Sequence, residues 1–166
     1  MTEEVILVNE QDQELGTMEK MEAHVKGLLH RAFSVFIFNS KKELLIQQRA
    51  LSKYHSPALW TNTCCSHPRP GEKTHDAALR RMREEMGMET TLEHMSSFIY
   101  KTTFENGLTE FEYDHIYTGK SNEDPIINPK EVNAYKWMSL DDIKSDLKTH
   151  PEIYTYWFKL AIEKLF

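Results

Sequence analysis

The chain has 166 residues, with 20 Lys and Arg against 26 Asp and Glu and a net charge of −6. That length suits one domain over residues 1–166, with a core large enough to fold without disulfide staples. A composition of 40% hydrophobic and 28% charged residues excludes a disordered or fibrous chain, and the acidic balance speaks against nucleic acid and anionic membranes as partners.

Along the chain, Val5–Val8 reads as a short strand and the polar stretch Asn9–Gly16 as a turn region. Arg31–Phe38, rich in aromatic and β-branched residues, predicts a strand. Leu44–Arg49 is its partner across the Lys41-Lys42 turn. Pro57, Pro68, Pro70 and Gly71 make Ser52–Lys73 a long loop, of the kind that carries function. From Thr74 to Met86 the apolar residues Ala78, Leu79, Met82 and Met86 fall on one helical face, and Gly87 is the stop. Ser97–Phe104 and Glu110–Thr118 flank Asn106-Gly107 as a hairpin. Val132–Met138 is another strand, Ser139 caps a helix whose first turn holds Asp141 and Asp142, and a last helix runs from Pro151 to Leu165. Hairpins mixed with helices in this order predict an α/β fold of the α+β, mixed-sheet kind. The longest apolar stretch, Ala32 to Phe38, is far below the ~20 residues that cross a bilayer. The start Met1-Thr2-Glu3-Glu4 lacks the basic-then-apolar pattern of a signal peptide, and the two adjacent cysteines, Cys64 and Cys65, close no useful loop. The expectation is a reduced, cytoplasmic protein.

Glu110 and Glu112 alternate on a strand, so both carboxylates share one face. Alone, such a pair is more readily a solvated strand face. With His67, and with His24 and His30 just before a strand, it becomes a mixed N/O donor set suited to Zn²⁺, Mn²⁺ or Fe²⁺. On the helix, Arg80 with Glu84 and Arg81 with Glu85 are i,i+4 pairs, an ordinary salt-bridged surface when taken by themselves. The remaining histidines, His55, His75, His94, His115 and His150, have no convergent partner in the sequence and are assigned to surface or ordinary hydrogen bonding.

Two resemblances draw these residues together. Ser66, Glu72 and the run Arg80-Arg81-Met82-Arg83-Glu84-Glu85-Met86-Gly87-Met88 resemble the Nudix box, G-x5-E-x7-R-E-U-x-E-E-x-G-U, whose helix carboxylates hold Mg²⁺ against a diphosphate. Ser66 replaces its opening glycine, and Arg81 replaces a glutamate of the metal-binding set. The second change argues for diphosphate binding and against hydrolysis. The stretch Trp60-Thr61-Asn62-Thr63-Cys64-Cys65-Ser66-His67-Pro68 resembles the active-site signature of the type I isopentenyl-diphosphate Δ-isomerases. Leu29–Ser34, Gln48–Lys53, Glu110-Phe111-Glu112 and the segment around Trp157 also match, in order, so that the likeness runs from residue 5 to residue 160.

That resemblance implies a Nudix-like α/β/α sandwich that converts isopentenyl diphosphate to dimethylallyl diphosphate through a tertiary carbocation. It implies that His24, His30, His67, Glu110 and Glu112 hold one divalent ion (Mn²⁺, Zn²⁺ or Fe²⁺). Glu85 and the backbone carbonyl of Cys65 would hold Mg²⁺ on the diphosphate. Lys20, Arg49, Lys53 and Arg81 would surround the diphosphate, and Trp157 would stand beside the reacting carbons. Cys65 and Glu112, assisted by Tyr100, would move the protons, with Glu112 and Tyr100 as acid and Cys65, a thiolate made accessible by nearby cations, as base. The partner implied is a small-molecule diphosphate, the chain acting as a monomer or weak dimer. The rival readings are a Nudix hydrolase of a nucleoside diphosphate derivative and a non-catalytic metal-dependent binding module.

Overall fold

A computed structural model describes residues 2–166. Nine strands form one branched mixed sheet, and its hub is β3 (His30–Phe38). Along one edge β3 runs parallel to β8 (Thr109–Lys120) over its whole length, with His30 opposite Glu112 and Phe38 opposite Lys120. Its other edge is shared by β1 (Glu4–Val8) at His30, β6 (Cys64–Ser66) at Phe33–Val35, and β4 (Glu43–Arg49) at Phe38. Since β3 and β4 pair at Phe38 and Leu44 alone, the two strands diverge from their turn. β4 then carries β9 (Val132–Ser139) and the two-residue β5 (Trp60–Thr61) away from β3.

Backbone groups bared by that divergence need partners. The buried run Thr61-Asn62-Thr63 supplies them: Asn62 Nδ2 donates to Val35 O and Cys64 O, while Thr63 Oγ1 donates to Leu45 O and accepts from Ile37 N. Polar residues therefore lie fully buried here, and they aim the segment from Cys64 to His67 back toward β3.

Side-chain alternation puts Phe33, Val35 and Ile37 against Ala77, Ala78, Met82 and Met86 of α2 (Thr74–Met86), while Phe36 packs with Tyr154, Phe158 and Ile162 of the C-terminal segment. Both sheet faces are covered, which explains the near-continuous apolar reading of β3 and confirms the expected α/β/α sandwich. The C-terminal segment comprises α3 (Leu140–Thr149), a 3₁₀ turn (Pro151–Ile153) and α4 (Tyr156–Leu165). Ser139 caps α3 as expected, its hydroxyl accepting from Asp142 N at 3.1 Å.

Three expectations are corrected. The Asn9–Gly16 region is a turn only to its middle; from Glu14 the chain pairs with β1 as β2 (Glu14–Glu19), a polar strand with no alternation to announce it. The Ser52–Lys73 loop contains β5 and β6. The last helix is broken, because Thr155 N donates to Trp60 O and Thr155 Oγ1 to Thr61 Oγ1, which holds Tyr154 and Thr155 extended and delays α4 to Tyr156. The seven-residue α1 (Lys20–Lys26), not foreseen, is capped by Glu19 and stopped by Gly27 in a left-handed conformation.

Candidate active site

The parallel register of β3 and β8 sets His30 beside Glu112, and the antiparallel register of β7 (Glu93–Thr103) with β8 sets Tyr100 opposite Glu112. From outside the sheet, α1 delivers His24 and the loop after β6 delivers His67. His24, His30, Glu110 and Glu112 are all buried, so the solvated-face reading of the two glutamates is excluded. Donor atoms of His24, His30, His67 and Glu112 lie within 4.8 Å of one another, and so do those of His24, His55 and Glu110.

The ring orientations are informative. His24 Nδ1 lies 2.7 Å from Lys20 O, and His30 Nδ1 lies 2.9 Å from Leu28 O. A carbonyl only accepts, so each Nδ1 carries a proton and each ring turns its Nε2 to the carboxylates. Both Nε2 atoms are buried without a hydrogen-bond partner. Orphaned imidazole nitrogens beside two buried carboxylates are the donor set a divalent cation requires, so these residues fit the expected metal.

Burial favours the neutral forms, but partners outweigh it at the carboxylates. His55, His24 and Tyr100 hold Glu110 well below the usual range, and His30 and His67 hold Glu112 down to about 2 against both burial and the charge of Glu110. At His67 burial wins and lowers the ring to about 4, so the ring is neutral at neutral pH, its Nε2 2.8 Å from Glu112 Oε2. Tyr100 Oη contacts Oε1 of Glu110 and, at 2.6 Å, Oε1 of Glu112, and burial with these two charges pushes the phenol up.

A cavity of about 270 Å³ opens beside this cluster, lined by Cys65, His67, Glu110, Glu112, Trp157, Tyr54 and His55, with Lys20, Arg49, Lys53 and Arg81 among its walls. Every candidate cation thus reaches one space. Three of them already face carboxylates there: Lys20 lies 2.7 Å from Glu3, Lys53 pairs with Glu131, and Arg81 lies 3.3 Å from Glu131 and 2.7 Å from Glu85. Arg49 instead stacks 5.3 Å from the Trp157 ring centroid and donates to the carbonyls of His55 and Ser56. Trp157 Nε1 donates to Asn62 Oδ1, which ties the cavity wall to the Thr61–Thr63 junction.

Glu85 is buried beneath Arg81 and is not part of the cavity lining; it also accepts from Gln47 Nε2 and Cys64 Sγ. Cys64 is fully buried, as a small structural residue should be. The accessible thiolate expected at Cys65 is corrected. Burial, then the charges of Glu85, Glu110 and Glu112, push its thiol up, and Arg49 alone does not reverse this.

The clearest omission is His55. Far from a surface histidine, it is 3% exposed, with Nε2 2.7 Å from Glu110 Oε2. Its loop has no periodicity to reveal that direction. Tyr54, edge-on to His24, and the carboxylates Glu3 and Glu131 were equally silent, while Asn62 stood unexplained in a motif. The other four histidines behave as expected: His75 bonds Leu92 O, His94 and His115 bond each other, and His150 is exposed.

Comparison with known proteins agrees with the geometry. The NUDIX domain model matches residues 28–159. "Isopentenyl-diphosphate Delta-isomerase" of Pectobacterium atrosepticum is 51% identical over 162 residues, covering 98% of this chain and 90% of that protein. "Isopentenyl-diphosphate Delta-isomerase 2" of Aromatoleum aromaticum is 46% identical, covering 99% and 87%. Among solved structures, DR0079 from Deinococcus radiodurans superposes with a TM-score of 0.83 at 21% identity over 99% of both chains. The MutT protein of Methanosarcina mazei gives 0.68 at 18% identity over 82% of this chain and 91% of that one. These two likenesses concern the fold. Among the described residues no helix is long and apolar enough to cross a membrane. With near-complete coverage by such relatives, the chain belongs to the NUDIX domain family and, within it, to the isopentenyl-diphosphate Delta-isomerases.

Proposed function

We propose that this chain, acting as one domain over residues 1–166, interconverts isopentenyl and dimethylallyl diphosphate. The observation that carries the reading is the shared cavity, where Cys65 and Glu112 border the same space and four cations reach it. An isolated alkene is a very weak base, so its protonation needs a placed acid in a space that water does not enter. Glu112, directly or through Tyr100, gives a proton to the terminal carbon, and Cys65 takes one from C2; because Glu112 rests ionised and Cys65 rests as the thiol, one proton first passes from the thiol to the carboxylate. Burial makes the Cys65 thiolate scarce but also a stronger base than an ordinary one. The reaction is reversible, so each group donates in one direction and accepts in the other. Trp157 offers a ring face to the tertiary cation, worth ~2 kcal/mol where water is excluded.

Diphosphate charge is met by Lys20, Arg49, Lys53 and Arg81, and its arrival displaces Glu3 and Glu131 from their cations. His24, His30, His67, Glu110 and Glu112 would hold Mn²⁺, Zn²⁺ or Fe²⁺, which when bound fixes the Glu112 carboxyl and tunes its acidity. Glu85 and the Cys65 carbonyl are assigned to Mg²⁺, an ion that commonly takes one or two carboxylates plus substrate phosphates. The protein is read as cytoplasmic, a monomer or weak dimer, with no nucleic-acid partner.

Hydrolysis of a nucleoside diphosphate derivative is the less favoured reading, since Arg81 occupies a carboxylate position of the Nudix box and is bound to Glu84 and Glu85. Incubation of the Mn²⁺-loaded protein with isopentenyl diphosphate and Mg²⁺, followed by ¹H and ³¹P NMR, separates the two. Dimethylallyl diphosphate with the diphosphate intact is expected; phosphate release without allylic product would support hydrolysis.

A further inference from the structure

We infer that His55 is a positioning residue for Glu110: its Nε2–H donates to Glu110 Oε2 and fixes that carboxylate for the metal centre, while its Nδ1 accepts from the Ser56 hydroxyl. The inference rests on the metal reading of His24, His30, His67, Glu110 and Glu112.

The partner at Nδ1 separates His55 from His24 and His30. His24 and His30 face backbone carbonyls through Nδ1, which leaves their Nε2 atoms without a hydrogen-bond partner. His55 Nδ1 instead faces Ser56 Oγ at 3.2 Å, a hydroxyl able to donate, and its Nε2 is 2.7 Å from a carboxylate oxygen, which only accepts. The proton therefore belongs on Nε2, and the Ser56 hydroxyl holds it there; His67 Nε2 lies as near to Glu112 Oε2, at 2.8 Å, but among the described residues no donor at its Nδ1 fixes that tautomer. Counting lone pairs points the same way. His24 Nε2 is common to both donor groups, and one lone pair binds one ion, so His24, His55 and Glu110 do not make a second full site beside the first.

The loop is built to hold the ring still. His55 stacks on Phe104 with centroids 4.5 Å apart and planes 9° apart, and it meets Tyr54 and Trp157 edge-on. Arg49 grips the carbonyls of His55 and Ser56. Ser56 adopts a positive φ of 50°, a strained conformation for a serine, and its hydroxyl comes to rest beside Nδ1. Glu110 thus has two donors, His55 and Tyr100, and the Tyr100 hydroxyl is shared with Glu112.

Co²⁺ titration of the metal-free protein, read by visible absorption, tests this with His55→Ala and His55→Gln, thermal unfolding of the metal-free proteins checking the fold. Glutamine carries an N–H donor at nearly the reach of Nε2. Wild type is expected to bind one Co²⁺ at this cluster. His55→Ala should bind it about 10- to 100-fold more weakly, the usual effect of losing a partner of a metal ligand. His55→Gln should restore affinity to within about threefold with an unchanged spectrum, and it decides alone if the alanine variant does not fold. Equal affinity in wild type and His55→Ala would overturn the role. So would a His55→Gln variant with weakened binding and an altered spectrum, or a second Co²⁺ lost with the ring, since either makes His55 a ligand. Absence of Co²⁺ binding in wild type would remove the metal centre and this role together.

Discussion

Tyr100 has one hydroxyl proton and two carboxylates beside it. On one side, His55 supplies Glu110; on the other, His30 and His67 converge on Glu112. The two glutamates look alike in sequence, yet their surroundings give them different tasks. Cys65 stands apart from this network as a half-buried thiol on the cavity wall, so substitutions should separate the tasks. Cys65→Ala should keep its fold and its Mn²⁺ content while turnover falls by about 10²–10⁴-fold, the usual range for a lost acid or base. Glu112→Gln should lose Mn²⁺ and turnover together. Metal analysis after dialysis, alongside product formation, reads both. A Glu112→Gln protein with full metal and near-normal turnover would contradict the double role, and near-normal turnover by Cys65→Ala would remove the thiol from the chemistry.

At the scale of elements, the end of α2 does more than stop a helix. Gly87 takes a left-handed conformation with φ of 60°, and a Cβ there would come within 2.6 Å of Ile126 O. This close approach lets Ile126 N bond Met86 O and Asn128 N bond Glu85 O, which docks the segment leading to Glu131, the partner of Lys53 and Arg81. Gly87→Ala combines left-handed strain, about 1–3 kcal/mol, with that clash. The melting temperature should fall by several degrees, at roughly 2–4 °C per kcal/mol for a chain of this size. An unchanged melting temperature would mean that the docked segment simply moves aside. Gly87 was legible as a helix stop, and α2, β3, β4 and the β7–β8 hairpin followed from apolar period and turn residues. What escaped was held by partners distant in sequence: β2 exists because β1 accepts its backbone, and α4 starts late because Trp60 captures Thr155.

For the whole molecule, the site was legible to the extent that a motif encodes it. The spacing of Glu110 and Glu112 put them on one face, and the Cys65–His67 stretch resembled a known signature. Their burial was not legible, because it depends on a parallel β3–β8 register joining residues about eighty apart. His55 was missed for a related reason: its direction is set by Arg49, Phe104 and a strained Ser56, none of which leaves a periodic trace. The thiol of Cys65 was expected to ionise from counting cations along the chain, whereas folding half-buries it near three carboxylates as well.

Proton addition at one carbon and removal at another is the claim on which the rest depends. It is tested most directly by running the metal-loaded protein on isopentenyl diphosphate in D₂O and locating the label by ²H NMR. Deuterium from solvent is expected in the newly formed methyl group of dimethylallyl diphosphate from the earliest turnovers. Product formed without solvent deuterium would contradict proton exchange through Glu112, Tyr100 and Cys65, and would require the hydrogen to move within the substrate itself.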